Sequence, residues 1–325
     1  MSTLRKHTSL VVLSVCLSAA IGCNQAREPR TGSSTLRIGI LQHGSSIPLI
    51  VAYERGLFKK RGIDVQLTTL TADQHMPSLL KGDVDVISPS SFPVIFSTFQ
   101  QNPGTIQCYL VGGESKTGDV LYGMVVRKDT KYASLGDLVG KTIGSASKFT
   151  TVNLRNVLRH KFHDRAQATT VREFGDRSLL ITGLQNGTLD AAVVDQPALS
   201  STVFQDGFRV IEKNFRAEYL FEPYWSGSGV ASTAWVKANR GKYESYLDAI
   251  DDALRVCKED SRATKESFIR HFSLKEVRVD AIGMYVYPNA RFVPQESFVG
   301  ALMKMLVENR LLAAEFDARE LFYRR

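Results

Sequence analysis

Short apolar runs bounded by turn residues alternate along the chain with longer stretches whose apolar positions recur every three or four residues. The first pattern reads as buried strand and the second as amphipathic helix. Leu36 to Leu41 is an apolar strand, and Pro48 to Phe58 has helical spacing that ends near Gly56. Ile63 to Leu67 is a second strand, and Asp73 to Leu80 a short helix stopped at Gly82, where glycine suits a helix end. Val84 to Ile87 is a third strand, followed by Ser88-Pro89-Ser90-Ser91-Phe92-Pro93 and a further helix. The order β-α-β-α-β predicts a parallel sheet with right-handed crossovers.

The order then repeats. Thr142 to Gly144 is a strand, Ser145 to Thr151 a turn and Val152 to Phe162 a helix. Thr169 to Phe174, Ser178 to Leu184 and Asp190 to Val194 supply strand, helix and strand, leading through Asp195-Gln196-Pro197 into another helix. Four identities fall at one offset of 105 residues: Ile38 with Ile143, Gly39 with Gly144, Gly82 with Gly187 and Asp85 with Asp190. A shared offset over so long a stretch predicts two lobes built on one plan, and paired lobes hold ligands between them.

In open parallel sheets ligands collect at the carboxyl ends of strands, where helix N-termini present unpaired N–H groups. The turns predicted there are rich in hydroxyls: Gln42-His43-Gly44-Ser45-Ser46, Ser88-Pro89-Ser90-Ser91 and Ser145-Ala146-Ser147-Lys148-Phe149-Thr150-Thr151. One helix cap needs one hydroxyl, and these turns carry two to four, which favours ligand contact over capping alone. The candidate ligand residues are Gln42, His43, Ser45, Ser46, Ser90, Ser91, Lys148, Thr150 and Thr151, together with Asp195 after the last repeated strand. For His43 a ligand contact and a plain loop histidine are evenly balanced. Trp225 either covers a planar ligand or seals a hinge, with the ligand reading favoured.

Of the full chain, 41 residues are basic and 33 acidic. No Lys/Arg-rich run marks a nucleic-acid arm, so nucleic acid is not an expected partner. Arg5, Lys6 and His7 precede an apolar run from Ser9 to Ala20, too short to span a membrane comfortably, and Ala20-Ile21-Gly22-Cys23 follows. This start resembles a bacterial lipoprotein signal over residues 1–22, with Cys23 as the lipidated residue. An ordinary secretory signal and an uncleaved anchor are the alternatives. Residues 23–35 are polar, with Pro, Gly and Ser, and read as a flexible tether. The expected location is therefore extracytoplasmic, lipid-anchored to a bacterial membrane on its periplasmic side or at the cell surface. Without Arg5 and Lys6 the net charge is +6. Cys108 and Cys257 read as two buried free thiols, although export permits a disulfide.

Pro48-Leu49-Ile50-Val51-Ala52-Tyr53-Glu54-Arg55-Gly56-Leu57-Phe58, Gly62-Ile63-Asp64-Val65, residues 80–85 (LKGDVD), Ser134 to Lys141 and Gly187 to Ala191 are the pieces by which the chain resembles the substrate-binding proteins of ABC importers. The group concerned handles nitrate, taurine, aliphatic sulfonates and pyrimidine precursors. The resemblance implies an α/β, two-lobed periplasmic-binding-protein fold of the second structural class, each lobe a parallel-dominated sheet flanked by helices, with two hinge crossovers. Lobe one would take residues 36–120 and 229–325, and lobe two residues 121–228. It further implies a monomer, tethered by its lipid, that captures a small polar or anionic organic solute and delivers it to an ABC permease and ATPase. No cofactor, metal or catalytic residue is implied. An enzyme of the pyrimidine-precursor type and a ligand-sensing lipoprotein are the alternatives; the cysteine-rich motif of the enzymes is absent.

Asp195-Gln196-Pro197 stands where sulfonate-type members often carry an aromatic residue. A carboxylate there repels a bare anion unless a cation such as Lys148 offsets it, so a zwitterionic or heterocyclic ligand is expected. Ser145-Ala146-Ser147-Lys148 and Lys116-Thr117-Gly118 fit motifs of penicillin-recognising enzymes, but their order is reversed and S-D-N is missing. His160 and His163 beside Arg159 and Lys161 make a poor metal pair, and Asp248, Asp251 and Asp252 read as a solvated helix face.

Overall fold

The computed structural model describes residues 35–113, 121–174, 177–201 and 206–323. The signal-like start, Cys23, the tether and Lys116-Thr117-Gly118 lie outside the described residues. Two five-stranded sheets carry the fold. The first orders its strands β2-β1-β3-β10-β4, where β1 is Thr35–Ile40, β2 Asp64–Thr69, β3 Val86–Ser91, β4 Ile106–Gly112 and β10 Gly227–Ser232. The second orders them β7-β6-β8-β5-β9, where β5 is Tyr122–Arg127, β6 Thr142–Ser145, β7 Thr170–Glu173, β8 Ala191–Asp195 and β9 Phe208–Lys213. In each sheet the three repeated strands pair in parallel, and a strand from beyond the repeat joins them antiparallel: β10 on β3 and β5 on β8. The fold is thus the expected two-lobed α/β architecture, its sheets mixed: parallel among the repeated strands and antiparallel where β10 and β5 join them.

The repeated residues have matching physical roles. Arg37 and Asp85 exchange backbone and side-chain contacts: the Arg37 amide donates to the Asp85 carboxylate at 2.9 Å, and the Asp85 amide donates to the Arg37 carbonyl at 2.9 Å. Thr142 and Asp190, both 105 residues on, repeat this reciprocal pair at 2.9 Å in each direction. Each aspartate thereby locks the start of one strand to the entry of another and fixes the register, Ile38 to Val86 and Ile143 to Ala191. A Cβ on Gly39 would lie 2.7 Å from Leu70, and one on Gly144 2.6 Å from Leu189, so neither position has room for a side chain. Gly82 and Gly187 sit at φ of 73° and 76°, the left-handed turn that ends a helix and feeds the next strand.

Both faces of each sheet are buried. On the first, Leu36, Ile38 and Ile40 face helix Ile47–Glu54 and helix Arg240–Glu259, while Ile87, Val111 and Val230 face helix Phe92–Gln101 and helix Glu296–Glu308. On the second, Met124 and Val126 face helix Lys148–Phe162, and Val125 between them faces helix Arg177–Gln185, as the two-residue period of a strand requires. Cys108 and Cys257 are separate free thiols, the first buried and the second half-buried.

Several local expectations change. Gly56, at φ 66°, splits the first helix into Ile47–Glu54 and Leu57–Lys60. The helix expected from Val152 begins at Lys148, because the Ser147 hydroxyl accepts from the Thr150 amide and caps it. After Asp195 the described residues first form a 3-10 turn, Ala198–Ser200. The acidic run does more than face solvent: Arg291 is held by Glu244 at 2.7 Å, Asp248 at 2.7 Å and Asp251 at 3.1 Å, and Arg61 by Asp252 at 2.7 Å. Arg291 ends a strap, residues 277–291, that touches both lobes. At its start, the Arg278 amide donates to the Ser200 carbonyl at 2.9 Å, and Gln196 and Ser200 donate to the Ala281 carbonyl. At its far end the Leu110 amide donates to the Ala290 carbonyl at 2.7 Å.

His75 sits fully buried beneath the ends of β1 and β3, its Nε2 at 3.3 Å from the Ser88 hydroxyl, which also accepts from the Leu41 amide. Burial lowers its pKa to about 4, with the Gly39 carbonyl opposing the shift.

Two outcomes follow from these contacts. Asp85→Ala and Asp190→Ala each strand a backbone N–H and are expected to cost about 2 kcal/mol, read as a lower urea midpoint at unchanged slope. Because the folded pKa of His75 lies below its unfolded value, the unfolded state binds more protons between the two, and stability falls as pH drops from about 6.5 to about 4. That loss is at most about 3 kcal/mol, and H75Q should flatten the wild-type slope in that window in urea titrations at stepped pH.

Candidate ligand site between the lobes

The chain leaves β1 at Ile40 and turns sharply at Leu41. Its Leu41 amide is taken by the Ser46 hydroxyl at 3.1 Å, so the fully buried Ser46 serves its own turn. His43 caps the 3-10 turn that follows: its Nδ1 accepts from the Ser45 amide at 3.2 Å and lies 2.9 Å from the Ser45 hydroxyl. An accepting Nδ1 leaves the proton on Nε2. That nitrogen points out of the first lobe, 3.4 Å from the Tyr285 hydroxyl and 3.8 Å from a carboxylate oxygen of Asp195 at the end of β8. The Tyr285 ring lies 5.5 Å from the imidazole, and the Tyr287 hydroxyl donates to the Ser45 carbonyl at 3.1 Å. A Cβ on Gly44 would meet the Tyr285 ring at 3.2 Å and one on Gly113 would meet it at 2.8 Å, so both glycines leave room for that aromatic.

From the second lobe, Asp195 stands beside Tyr122 in the β5–β8 register. The Tyr122 ring carries the Arg216 guanidinium over its face, 4.2 Å from the centroid, with the Phe149 ring 5.8 Å away on the same cation. Arg216 donates through Nη2 to the Thr150 hydroxyl at 2.9 Å, and its backbone amide donates to the Tyr122 hydroxyl at 3.0 Å. Its Nε is buried and makes no hydrogen bond. Asn153, one turn beyond Phe149 on the same helix, is fully buried, and neither atom of its amide makes a hydrogen bond of regular geometry. It lies beside the Tyr224 hydroxyl; burial pushes that phenol up to about 12, with Arg216 and Asn153 both opposing the shift. Burial likewise raises the Tyr122 phenol, again against the pull of Arg216.

The expected residues therefore separate. His43, Ser45 and Asp195 come together where the lobes meet, and Thr150 stands with Arg216 on the second lobe. Thr151 is buried on the Ser145 hydroxyl at 2.5 Å, so it and Ser46 serve the scaffold. Ser90 lies opposite Ser228 in the sheet, and Ser91 precedes its helix without capping it. Gln42 and Lys148 are exposed. Trp225 is packed in the first lobe's core, edge-on to Phe298 at 4.9 Å and tilted on Phe292 at 5.5 Å, and only 5% exposed. That packing replaces the ligand-cover reading with the sealing one. Reading the sequence missed Arg216, Tyr122, Asn153 and Tyr285. Arg216 lies on a five-residue helix after Asn214, and Tyr285 on a strap with no periodicity, so spacing marks neither.

Comparison with solved structures places the fold among binding proteins. The periplasmic aliphatic sulphonate binding protein SsuA from Escherichia coli matches with a TM-score of 0.69 at 17% identity, over 90% of this chain and 98% of that one. The ligand-binding component of an ABC-type import system from Staphylococcus aureus matches at 0.69 and 11%, over 90% and 97%. The periplasmic nitrate-binding protein NrtA from Synechocystis PCC 6803 matches at 0.65 and 14%, over 89% and 84%. At such identities the likeness is one of fold. Comparison with curated proteins gave no match. The NMT1/THI5-like family model aligns with residues 43–263, more than half of the chain and strands of both sheets, and the chain belongs to that family.

Proposed function

We propose that the protein is an extracytoplasmic solute-binding protein that captures a small polar or anionic organic solute between its lobes and delivers it to an ABC importer. The observation that carries this reading is the approach of His43 and Asp195, which leave different sheets at strand carboxyl ends and meet at 3.8 Å. A solute seated between them touches both lobes, binds the closed arrangement better than an open one and shifts the equilibrium toward closure, which a permease can read. The sulfonate and nitrate binding proteins of the same fold support this reading.

In this proposal lobe one comprises residues 36–120 and 229–325 and lobe two residues 121–228, with the start of β10 at Gly227 and the Trp225 ring joining lobe one. The start of the chain supplies a lipid anchor through Cys23, and the protein works as a monomer beside its permease and ATPase. Among the described residues no helix is long and apolar enough to cross a membrane. The role is binding rather than turnover. Neither described cysteine is poised as a nucleophile: burial raises the Cys108 thiol to about 12 and the Cys257 thiol to about 11. Gln42, Lys148, Ser90 and Ser91 border the ligand, and His43, Ser45, Thr150 and Asp195 contact it.

A thermal-shift screen of sulfonates, small anions, amino-acid-like zwitterions and heterocycles tests this reading. A true ligand at 100 times its Kd should stabilise by about 2.7 kcal/mol and compact the protein in small-angle scattering. D195A should weaken that ligand roughly tenfold or more, a change of about 1.4 kcal/mol, while the exposed K148A weakens it less, with both variants folded. Chemical conversion of the ligand by the purified protein, or binding without compaction, overturns the proposal.

A further inference from the structure

We infer that Arg216 and Asn153 form an anion subsite, which takes the negatively charged end of the solute as a monoanionic group with two or more terminal oxygens, a carboxylate or a sulfonate. This inference rests on the solute-binding reading and specifies what one end of the ligand must be.

The electrostatics of Arg216 point this way. Its guanidinium is half-buried, and no carboxylate among the described residues pairs with it; Thr150 takes one of its N–H groups at 2.9 Å. Withdrawing even part of a cation from water without a counter-charge is unfavourable, and the face of Tyr122 at 4.2 Å offsets only part of that cost. Stacking fixes the plane of the guanidinium, so its remaining donors form an in-plane fork, the geometry that matches two oxygens of one anion. The buried Nε is one such unfilled donor.

Asn153 is an independent observation. A fully buried amide with neither atom in a regular hydrogen bond is rare in a native fold, since each unmade bond leaves its desolvation uncompensated. Arg216 donates to Thr150, which lies one helical turn before Asn153 on the same helix, and both Arg216 and Asn153 act on the Tyr224 hydroxyl, so the two side chains converge on one region where the second lobe meets the first. The Asn153 amide therefore offers a donor where the Arg216 fork has open positions. Asp195 stands beside Tyr122 in the β5–β8 register and repels a second negative charge on a solute held by the cation over that ring, which argues for a monoanion over a dianion such as phosphate. A donor or cationic group elsewhere on the same solute would face Asp195. The cation expected at Lys148 is supplied instead by Arg216, 68 residues further along the chain.

The test is a titration of the purified protein with sodium acetate and sodium methanesulfonate against sodium chloride at constant ionic strength, with acetamide as the neutral probe, read by thermal shift and calorimetry. Wild type should be stabilised by one or both oxyanions over chloride, and the stronger of the two assigns the group as carboxylate or sulfonate. R216Q should lose that affinity roughly tenfold or more, and R216K, which keeps the charge but not the fork, about threefold or more. N153S should weaken the same probe. Cooperative melting of each variant in chloride shows that it is folded; if R216Q does not fold, R216K and N153S decide. Two results overturn the subsite: no response of wild type to either oxyanion, or equal responses in wild type and the Arg216 variants. A neutral solute that binds and compacts the protein without regard to Arg216 removes the subsite and leaves the solute-binding reading standing.

Discussion

Each lobe depends on one carboxylate. Asp85 and Asp190 accept the backbone amide of a residue in the first half of a neighbouring strand, Arg37 in β1 and Thr142 in β6, and return their own amide to its carbonyl. In β-sheet such side-chain intrusion ends a ladder unless its geometry reproduces the bond that it replaces. Here it does, twice, at the same distance. The carboxylates differ only in their outer partners: Arg37 grips Asp85 with two nitrogens, and the Tyr132 hydroxyl donates to Asp190 at 2.8 Å. With the early part of β1 and of β6 pinned, the far end of each is placed to within the stiffness of a strand. The loops that meet between the lobes are therefore aimed by contacts at the opposite edge of each sheet.

That arrangement explains what could be read before the structure. Strand and helix order, the repeat and the two-lobed plan were legible because they rest on periodicity and on residues with a single physical use. A glycine with no space for a Cβ and a glycine at positive φ leave the same mark in both copies. Hydroxyl-rich turns were legible as strand ends, but their chemistry was ambiguous. Ser46 and Thr151 turned inward to hold backbone and helix, as hydroxyls near helix starts generally do. β9 and the split of the first helix were missed because each depends on tertiary pairing or on one residue's backbone conformation.

The charges of the site were the least legible part. Asp195 and His43 come from positions that the repeat marks, and they meet. Arg216 lies in a short helix outside the repeat, one of 41 basic residues with nothing in its spacing to set it apart. Its role comes from what surrounds it: Tyr122 beneath, Phe149 alongside and no carboxylate partner among the described residues. Such a setting is assembled from strands and helices far apart in sequence, and a linear reading has no means to rank it. Trp225 shows the converse. It is conspicuous in sequence, yet its ring is surrounded by phenylalanines.

The strap has a mechanical meaning beyond its contacts. It is fixed to the second lobe through Ala281 and Arg278, and to the first through Tyr287 on the Ser45 carbonyl. Only the few residues from Ile282 to Val286 lie between those anchors, and a fully extended chain spans about 3.5 Å per residue. Held at both ends, the segment works as a leash of fixed length. It sets a ceiling of roughly 20 Å on the separation of its anchors while both hold, however freely the β5 and β10 connections bend. Gape is thus a property written into the chain itself, and a solute too bulky for that aperture is excluded by length rather than by chemistry.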